Sequence, residues 1–322
     1  MSKCAIVTGG FGFIGSALCR RLCDMGWEVI IFENMEGGKV RQIACAKDAV
    51  VEIRNIDVTK LDGLTEDFAH VDWFFHFAAH YANEKSLEYP ITSISHNVVG
   101  TMAALKFCLR NDIGNFCYAS SSGVYGGIQN LVYEEDMLPQ PNTPYEVGKY
   151  SGELLSLGWG DIYDMNIVCP RFWNVYGIGD VPGRWRSVIP NFFTLASEGK
   201  DLLVTGKEAS RDFTYIEDCI KGILAGVSYA TNSKSRTQLV YNICNGKEVS
   251  IYGLAQKIIS LCGSRSDIVV APKRKWDNAL RRVGSPKRFN SLFPGIVGLM
   301  RGIDDGLALS KDWYTDSIER IA

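Results

Sequence analysis

Two clusters in this 322-residue chain carry side chains able to move protons. The first is Ser120-Ser121-Ser122-Gly123-Val124-Tyr125-Gly126, which follows an apolar, strand-like stretch ending at Ala119; the second, 24 residues past Ser121, is Tyr145-Glu146-Val147-Gly148-Lys149. Tyr145 and Lys149 stand four apart, so on a helix opened by Pro144 they share a face, and an ammonium near a phenol favours the phenolate. A tyrosine drawn down from its usual pKa of ~10 exchanges a proton with a substrate hydroxyl, and a neighbouring serine relays or steadies that proton. Alone, Tyr-x-x-x-Lys is commonplace. Its weight comes from lying one helix beyond a strand-end serine cluster, in a chain that opens with a glycine loop.

That loop is the element the chemistry needs. Lys3-Cys4-Ala5-Ile6-Val7-Thr8 runs into Gly9-Gly10-Phe11-Gly12-Phe13-Ile14-Gly15, which reads as a buried strand, a glycine turn and a helix start with Leu18, Leu22 and Met25 on one face. Gly10, Gly12 and Gly15 fit a dinucleotide fingerprint: a tight turn, close approach to a pyrophosphate, then close helix-strand packing. Glu33 ends the next apolar strand, Glu28 to Phe32, 18 residues past Gly15. That is near the ~20-residue offset of a ribose-binding carboxylate, and an acid there favours NAD(H) over NADP(H).

Stepping along the chain, strand-like and helix-like segments alternate: Val50 to Ile56 ending at Asp57, Asp72 to Ala78, a helix over Thr92 to Arg110, Asn115 to Ala119, a helix after Pro144, then Asn166 to Cys169. Alternation of this kind predicts right-handed βαβ units and a parallel sheet covered on both faces, with ligands at the carboxyl ends of the strands. Asp57 at such an end either caps a turn or holds an adenine. Beyond Gly177 the texture changes to loops and helices, with helices over Val188 to Ser197, Ile251 to Leu261 and Gly306 to Tyr314 and short strands at Leu202 to Thr205 and Leu239 to Ile243. The expected architecture is an α/β, Rossmann-type doubly wound parallel sheet, residues 1–177 with roughly 212–245, and a smaller, mainly helical substrate lobe, roughly 178–211 and 246–322, sharing a cleft with it.

A net charge of -2 argues against a nucleic-acid surface, and Lys273-Arg274-Lys275 is too short to alter that. No apolar run reaches the ~18 residues of a membrane span, so no membrane partner and a cytoplasmic location are expected. Ten cysteines are scattered singly through apolar or helical segments, without Cys-x-x-Cys, and read as reduced core thiols. His70, His76, His80 and His96 lack zinc-ligand spacing with them, so no metal is expected.

The chain resembles the extended short-chain dehydrogenase/reductases of the nucleotide-sugar epimerase/dehydratase group. The resemblance rests on Thr8 to Gly15, Asp57-Val58, His76-Phe77-Ala78-Ala79, Asn97-Val98-Val99-Gly100-Thr101, Ser121 with Val124-Tyr125-Gly126, Tyr145 with Lys149, and Pro170 to Gly177. It continues through Val188-Ile189-Pro190 and Arg211-Asp212-Phe213 to Tyr241-Asn242-Ile243. It implies Ser121, Tyr145 and Lys149 as the catalytic trio. It also implies NAD contacts from Gly9, Gly12, Phe13, Ile14, Gly15, Glu33, Asn34, Asp57, Val58, Phe77, Ala78, Ala79, Asn97, Tyr145, Lys149 and Trp173. For a nucleotide-diphosphate sugar it implies Ser121, Ser122, Asn174 and Arg211, with Arg281 or Arg282 as a second diphosphate arginine, and pairing of two copies through the helices at Thr92 to Arg110 and Tyr145 to Tyr163. Those helices carry Met102, Leu105, Leu154, Leu155, Leu157 and Trp159 beyond one face. Arginine's planar donor fork suits phosphate on bottom-up grounds as well; Arg184 and Arg186 either join that anion site or pair with surface acids.

Members of this group oxidise a sugar, usually at C4, and then diverge. Dehydratases carry an acid pair after the catalytic hydroxyl and sugar decarboxylases keep a Glu there, whereas this chain has Ser122 and Gly123, which cannot serve as carboxylate acid or base. The expectation is an NAD-dependent epimerase of the UDP-sugar 4-epimerase type. Alternatives are a dehydratase or decarboxylase drawing an acid from Glu84, Glu134 or Glu135, a 4-keto-sugar reductase, or a non-catalytic dinucleotide sensor. His80 reads as a structural or a catalytic histidine, and Trp173 as packing on the nicotinamide or the cleft wall.

Overall fold

The computed structural model describes residues 2–35, 51–127, 132–274, 277, 279–296, 298 and 300–321, the last helix with side chains as far as 316. Val50 and Lys275, named above, lie outside them. The strands are β1 (Cys4–Thr8), β2 (Glu28–Glu33), β3 (Val51–Asn55), β4 (Trp73–His76), β5 (Asn115–Tyr118), β6 (Ser120–Ser121), β7 (Val132–Tyr133), β8 (Asn166–Phe172), β9 (Val175–Tyr176), β10 (Leu202–Thr205), β11 (Ser210–Arg211), β12 (Thr214–Tyr215), β13 (Gln238–Ile243), β14 (Val249–Ser250), β15 (Ile268–Ala271) and β16 (Arg281–Gly284). The helices are α1 (Phe13–Asp24), α2 (Asn83–Glu88), α3 (Pro90–Ile94), α4 (Gly100–Arg110), α5 (Pro144–Tyr163), α6 (Val188–Ser197), α7 (Ile216–Asn232), α8 (Ile251–Cys262), α9 (Lys287–Leu292) and α10 (Ile303–Ile321). The chain divides into two compact units, Met1–Val124 with Thr143–Arg171 and Ile220–Tyr241, and Tyr125–Asn142 with Phe172–Cys219 and Asn242–Ala322.

The first unit is a Rossmann-type α/β body. Its sheet runs β13-β8-β5-β4-β1-β2-β3, and β1 pairs in parallel with β2 and β4, β2 with β3, β4 with β5, and β5 with β8. All five residues of β1 are buried, as a central strand covered on both faces requires. Phe32, Phe68, Phe74, Phe107 and Phe116 fill one side; Phe74 stacks on Phe116 at 5.6 Å and Phe32 meets Phe68 edge-on at 5.8 Å. Cys108 and Cys169 belong to this core as small apolar groups. Leu105 does too: it is wholly buried, not a residue of an outward face.

Beneath the site lies a buried ion pair. Arg171 Nη2 and Nε donate to Glu153 Oε1 and Oε2 at 2.6 and 3.0 Å, and Ser120 Oγ donates to Oε2 at 2.6 Å. The two-pronged geometry and the hydroxyl offset the cost of drying both charges, so β8, α5 and the end of β6 are tied at one point.

The helix expected over Thr92 to Arg110 is instead α3, a π turn at Ser95–Val99, and α4. Its physical reason is Asn97, whose side-chain carbonyl accepts from His80 N at 2.9 Å while its backbone carbonyl accepts from Thr101 Oγ1 at 2.8 Å. A bulge of this kind commonly marks a functional position.

In the second unit β14-β11-β16-β7 form one small sheet and β10 pairs with β15, with α6, α8 and α10 packed together around them. Tyr125, Tyr133 and Trp173 cluster with ring centres 5.2 to 5.8 Å apart, and Asn242 Oδ1 accepts from both Tyr125 Oη at 2.9 Å and Trp173 Nε1 at 3.0 Å. Among the described residues no helix is long and apolar enough to cross a membrane.

Candidate active site

Pro144 at the first position of α5 and Thr143 as its N-cap, accepting from Glu146 N at 3.2 Å, start the helix that presents Tyr145 and Lys149. Ser121 ends β6, its Oγ accepting from Gly123 N at 3.1 Å. Burial holds the Tyr145 phenol above its ordinary value, and the nearby Ser121 hydroxyl pulls it part of the way back. Lys149 Nζ donates to Ala119 O at 2.8 Å and lies 5.1 Å above the Tyr118 ring. Burial pushes this ammonium down to about 7. The phenol is not lowered as the four-residue spacing suggests, because its own burial outweighs what its neighbours do.

Around the trio the first unit supplies a polar frame. His76, pushed down to about 3 by burial, lies 2.9 Å from Thr8 Oγ1 and 3.2 Å from Thr101 Oγ1. Thr8 Oγ1 also accepts from Phe77 N and Ala78 N, both at 3.1 Å, joining the ends of β1 and β4. Asn97 Nδ2 donates to His80 O at 3.1 Å. The His80 ring, pushed down to about 4 chiefly by burial, stands edge-on to Tyr89 at 6.3 Å. Ser122 opens the one-turn helix Ser122–Tyr125.

The glycine loop is built for a ligand that needs backbone. Gly9 has φ +68°, and a Cβ there would meet Ala78 N at 2.7 Å; at Gly15 it would meet Gly9 O at 2.2 Å. The turn position therefore falls on Gly9, one residue before the Gly10 of the sequence reading; Gly10 is small because Ile31 packs on it. Gly12 caps α1 without any side-chain hydrogen bond, leaving the first-turn amides of Phe13 and Ile14 uncapped by a side chain. Glu33 accepts from Phe11 N at 3.2 Å and from the amides of Asn34 and Met35, while burial raises its pKa. Asp57 caps the turn at Val58–Gly63, accepting from Thr59 N at 2.9 Å and Thr59 Oγ1 at 2.8 Å, and Val58 packs beneath Gly100. Ala79 completes the row at the end of β4. These residues fit a dinucleotide diphosphate and ribose.

In the second unit Arg211 and Arg282 are register partners on β11 and β16. Arg211 Nη2 donates to Asp277 Oδ2 at 2.5 Å and Arg282 Nη2 to Gly126 O at 3.1 Å. Burial, together with Arg282 and Arg274 alongside, lowers the Arg211 pKa against the pull of Asp277. Arg281 is not brought to this group; it faces the other way and pairs with Glu248 at 2.6 Å. Asn174, at φ +30°, donates through Nδ2 to Asp212 O at 2.8 Å, and Trp173 is sealed in the aromatic cluster. Glu134 pairs with Lys287 and Glu135 accepts from Asn242 N at 2.6 Å.

Two polar groups were not singled out from sequence. Asp212 is wholly buried, accepts from Asn245 N, Gly246 N and Gly284 N at 3.0, 2.8 and 3.2 Å, and is pushed up to about 7 by burial. It joins the strand of Arg211 to its neighbours, and the Arg-Asp-Phe triplet was its only trace in the sequence. The second is Glu146, buried beside Tyr145, with Asn83 Nδ2 donating to its Oε1 at 3.1 Å.

Comparison with known proteins places this geometry. A solved epimerase of Methanothermobacter thermautotrophicus is 32% identical with a TM-score of 0.89, over 99% of this chain and 94% of that one. A UDP-N-acetyl-alpha-D-glucosaminuronate decarboxylase of Bacillus cytotoxicus is 31% identical over 85% of each chain. A dTDP-glucose 4,6-dehydratase of Streptomyces niveus is 28% identical over 97% of this chain and 93% of its own. The relatives thus differ in outcome while sharing the fold. The family model for NAD-dependent epimerases and dehydratases matches residues 5–244, and the chain belongs to that family of enzymes.

Proposed function

We propose that the protein is an NAD-dependent nucleotide-sugar epimerase that inverts a sugar carbon, C4, by transient oxidation. The observation that supports this reading is that Gly123 lies against both Ser121 and Tyr145, a Cβ there meeting Ser121 Oγ at 3.3 Å and Tyr145 Cε1 at 3.7 Å, with no carboxylate contributed by residues 122 and 123. NAD, when bound, accepts the C4 hydride and returns it. Tyr145 takes the proton of the sugar hydroxyl and gives it back, Ser121 steadies that proton, and Lys149 supplies positive charge next to the phenolate and holds the nicotinamide ribose. Elimination needs a further acid and base at the sugar. Glu134 pairs with Lys287, Glu135 accepts from Asn242 N and Glu146 is sealed from solvent, so none of these three is a free acid for elimination.

Gly9, Gly12, Gly15 and Glu33 hold the dinucleotide in this proposal. Arg211 and Arg282 are the diphosphate donors, favoured over Arg281 because the two are register partners on adjacent strands. We further infer a cytoplasmic homodimer, supported by apolar residues such as Ile91, Leu154 and Ile162 left exposed on α3 and α5.

Incubation with a panel of sugar nucleotides, read by mass and by sugar composition, tests the reading. The expected product has unchanged mass and an inverted hydroxyl, and Tyr145→Phe lowers turnover about a hundredfold or more. Loss of water or carbon dioxide, net consumption of NADH, or full activity of Tyr145→Phe would overturn it.

A further inference from the structure

Gly123 and Glu146 fit each other. A Cβ built on Gly123 would lie 3.1 Å from Glu146 Cγ, 3.3 Å from Ser121 Oγ and 3.7 Å from Tyr145 Cε1, so the Glu146 stem takes up the room that a side chain at 123 would need. The carboxylate is held in turn. Asn83 Nδ2 donates to Glu146 Oε1 at 3.1 Å, Asn83 Oδ1 accepts from Thr143 Oγ1 at 2.9 Å, and Thr143 Oγ1 accepts from Glu146 N at 3.2 Å. This ring of contacts spans α2 and the start of α5 and is costly to bury unless it is used. Glu146 is 0% exposed and cannot touch a sugar, so whatever it does reaches the substrate through its neighbour.

We propose that Glu146 is a positioning residue for the Tyr145 phenol: held by Asn83 and packed against Gly123, it fixes where Ser121 and Tyr145 stand. Beside that phenol stand Ser121 of β6 and Glu146 of α5, with Tyr118 of β5 near it, while Lys149, one turn further along α5, donates to Ala119 O. Ser121 acts to release the proton and the Glu146 charge to retain it. A more firmly held proton makes the phenolate, once formed, the stronger base toward a sugar hydroxyl. The inference rests on Tyr145 as the base in the reading above.

The test is a pH titration of the full-length protein, loaded with NAD and labelled at tyrosine Cζ with carbon-13, in which the Tyr145 signal is assigned by its loss in Tyr145→Phe. In Glu146→Gln the midpoint should fall by about one pH unit, whereas Glu146→Asp, which keeps the charge, should follow the parent. Superimposed curves for the parent and Glu146→Gln, two flat ones included, would overturn the proposal. If circular dichroism shows Glu146→Gln unfolded, Glu146→Met, which also removes the charge at similar volume, is read the same way. Turnover separates the two readings: an inactive Tyr145→Phe with superimposed titrations sinks only the role of Glu146. An active Tyr145→Phe with shifted titrations sinks only the assignment of the base.

Discussion

Lys149 shows what burial does to a single charge. With its ordinary value near 10.5 in the unfolded chain and about 7 in the fold, it binds fewer protons when folded than when unfolded across that interval. Stability due to this residue therefore rises with pH between about 7 and 10.5, and the penalty is fully present below 7. Lys149→Met lacks the ionisable group. Its stability relative to the parent, from urea unfolding at pH 7, 8 and 9, should decline steadily as pH rises; a difference independent of pH would show that Lys149 is not dried in the fold. The proximity of Ser121, Tyr145 and Lys149 was legible because spacing on a helix is local geometry. Glu146 was not: beside a tyrosine on a polar stretch it reads as solvent-facing, and its partner Asn83 lies 63 residues away.

The glycine loop carries its argument at the level of the element. β1 and α1 can pack at this distance only because Gly15 has no side chain, since a Cβ there would sit 2.2 Å from a backbone oxygen that has no rotamer to escape into. Gly15→Ala should cost about 2 kcal/mol of stability and weaken NAD binding about tenfold or more. Denaturant unfolding and calorimetric titration check the two, and an unchanged NAD affinity would remove the loop from the cofactor site. Alternation of strands and helices made this half readable from sequence, and in the second unit the ends of β10 and α6 were legible from their apolar runs. The one-residue shift from Gly10 to Gly9 was hidden because both are glycines and only φ separates them. The π turn at Ser95–Val99 escaped as well, because hydropathy periodicity over Thr92 to Arg110 runs through it unbroken while the cause, His80 reaching Asn97, lies outside the helix.

For the molecule as a whole, the first unit leaves apolar surface on α3 and on α5, the helix that carries Tyr145 and Lys149. Ile91 is 84% and Ile162 70% exposed, on α3 and α5, which pack against each other. A second copy of this chain covering that face would bury both. Light scattering on the purified protein should give twice the mass of one chain, and Ile162→Glu should return it to one; a parent already at single-chain mass removes the dimer. Sequence indicated these helices but not which residues face outward, since Leu105 lies in the core and Leu154 outside it, a distinction set by tertiary packing.

Glu33 carries a different consequence. Because its carboxylate also anchors Phe11, the acid proposed to face the cofactor ribose is at the same time a structural tether of the glycine loop. Descendants of this chain could not drift toward the phosphorylated cofactor by a single exchange at that position without loosening the turn that both cofactors require. Selectivity and architecture are inherited there as one trait.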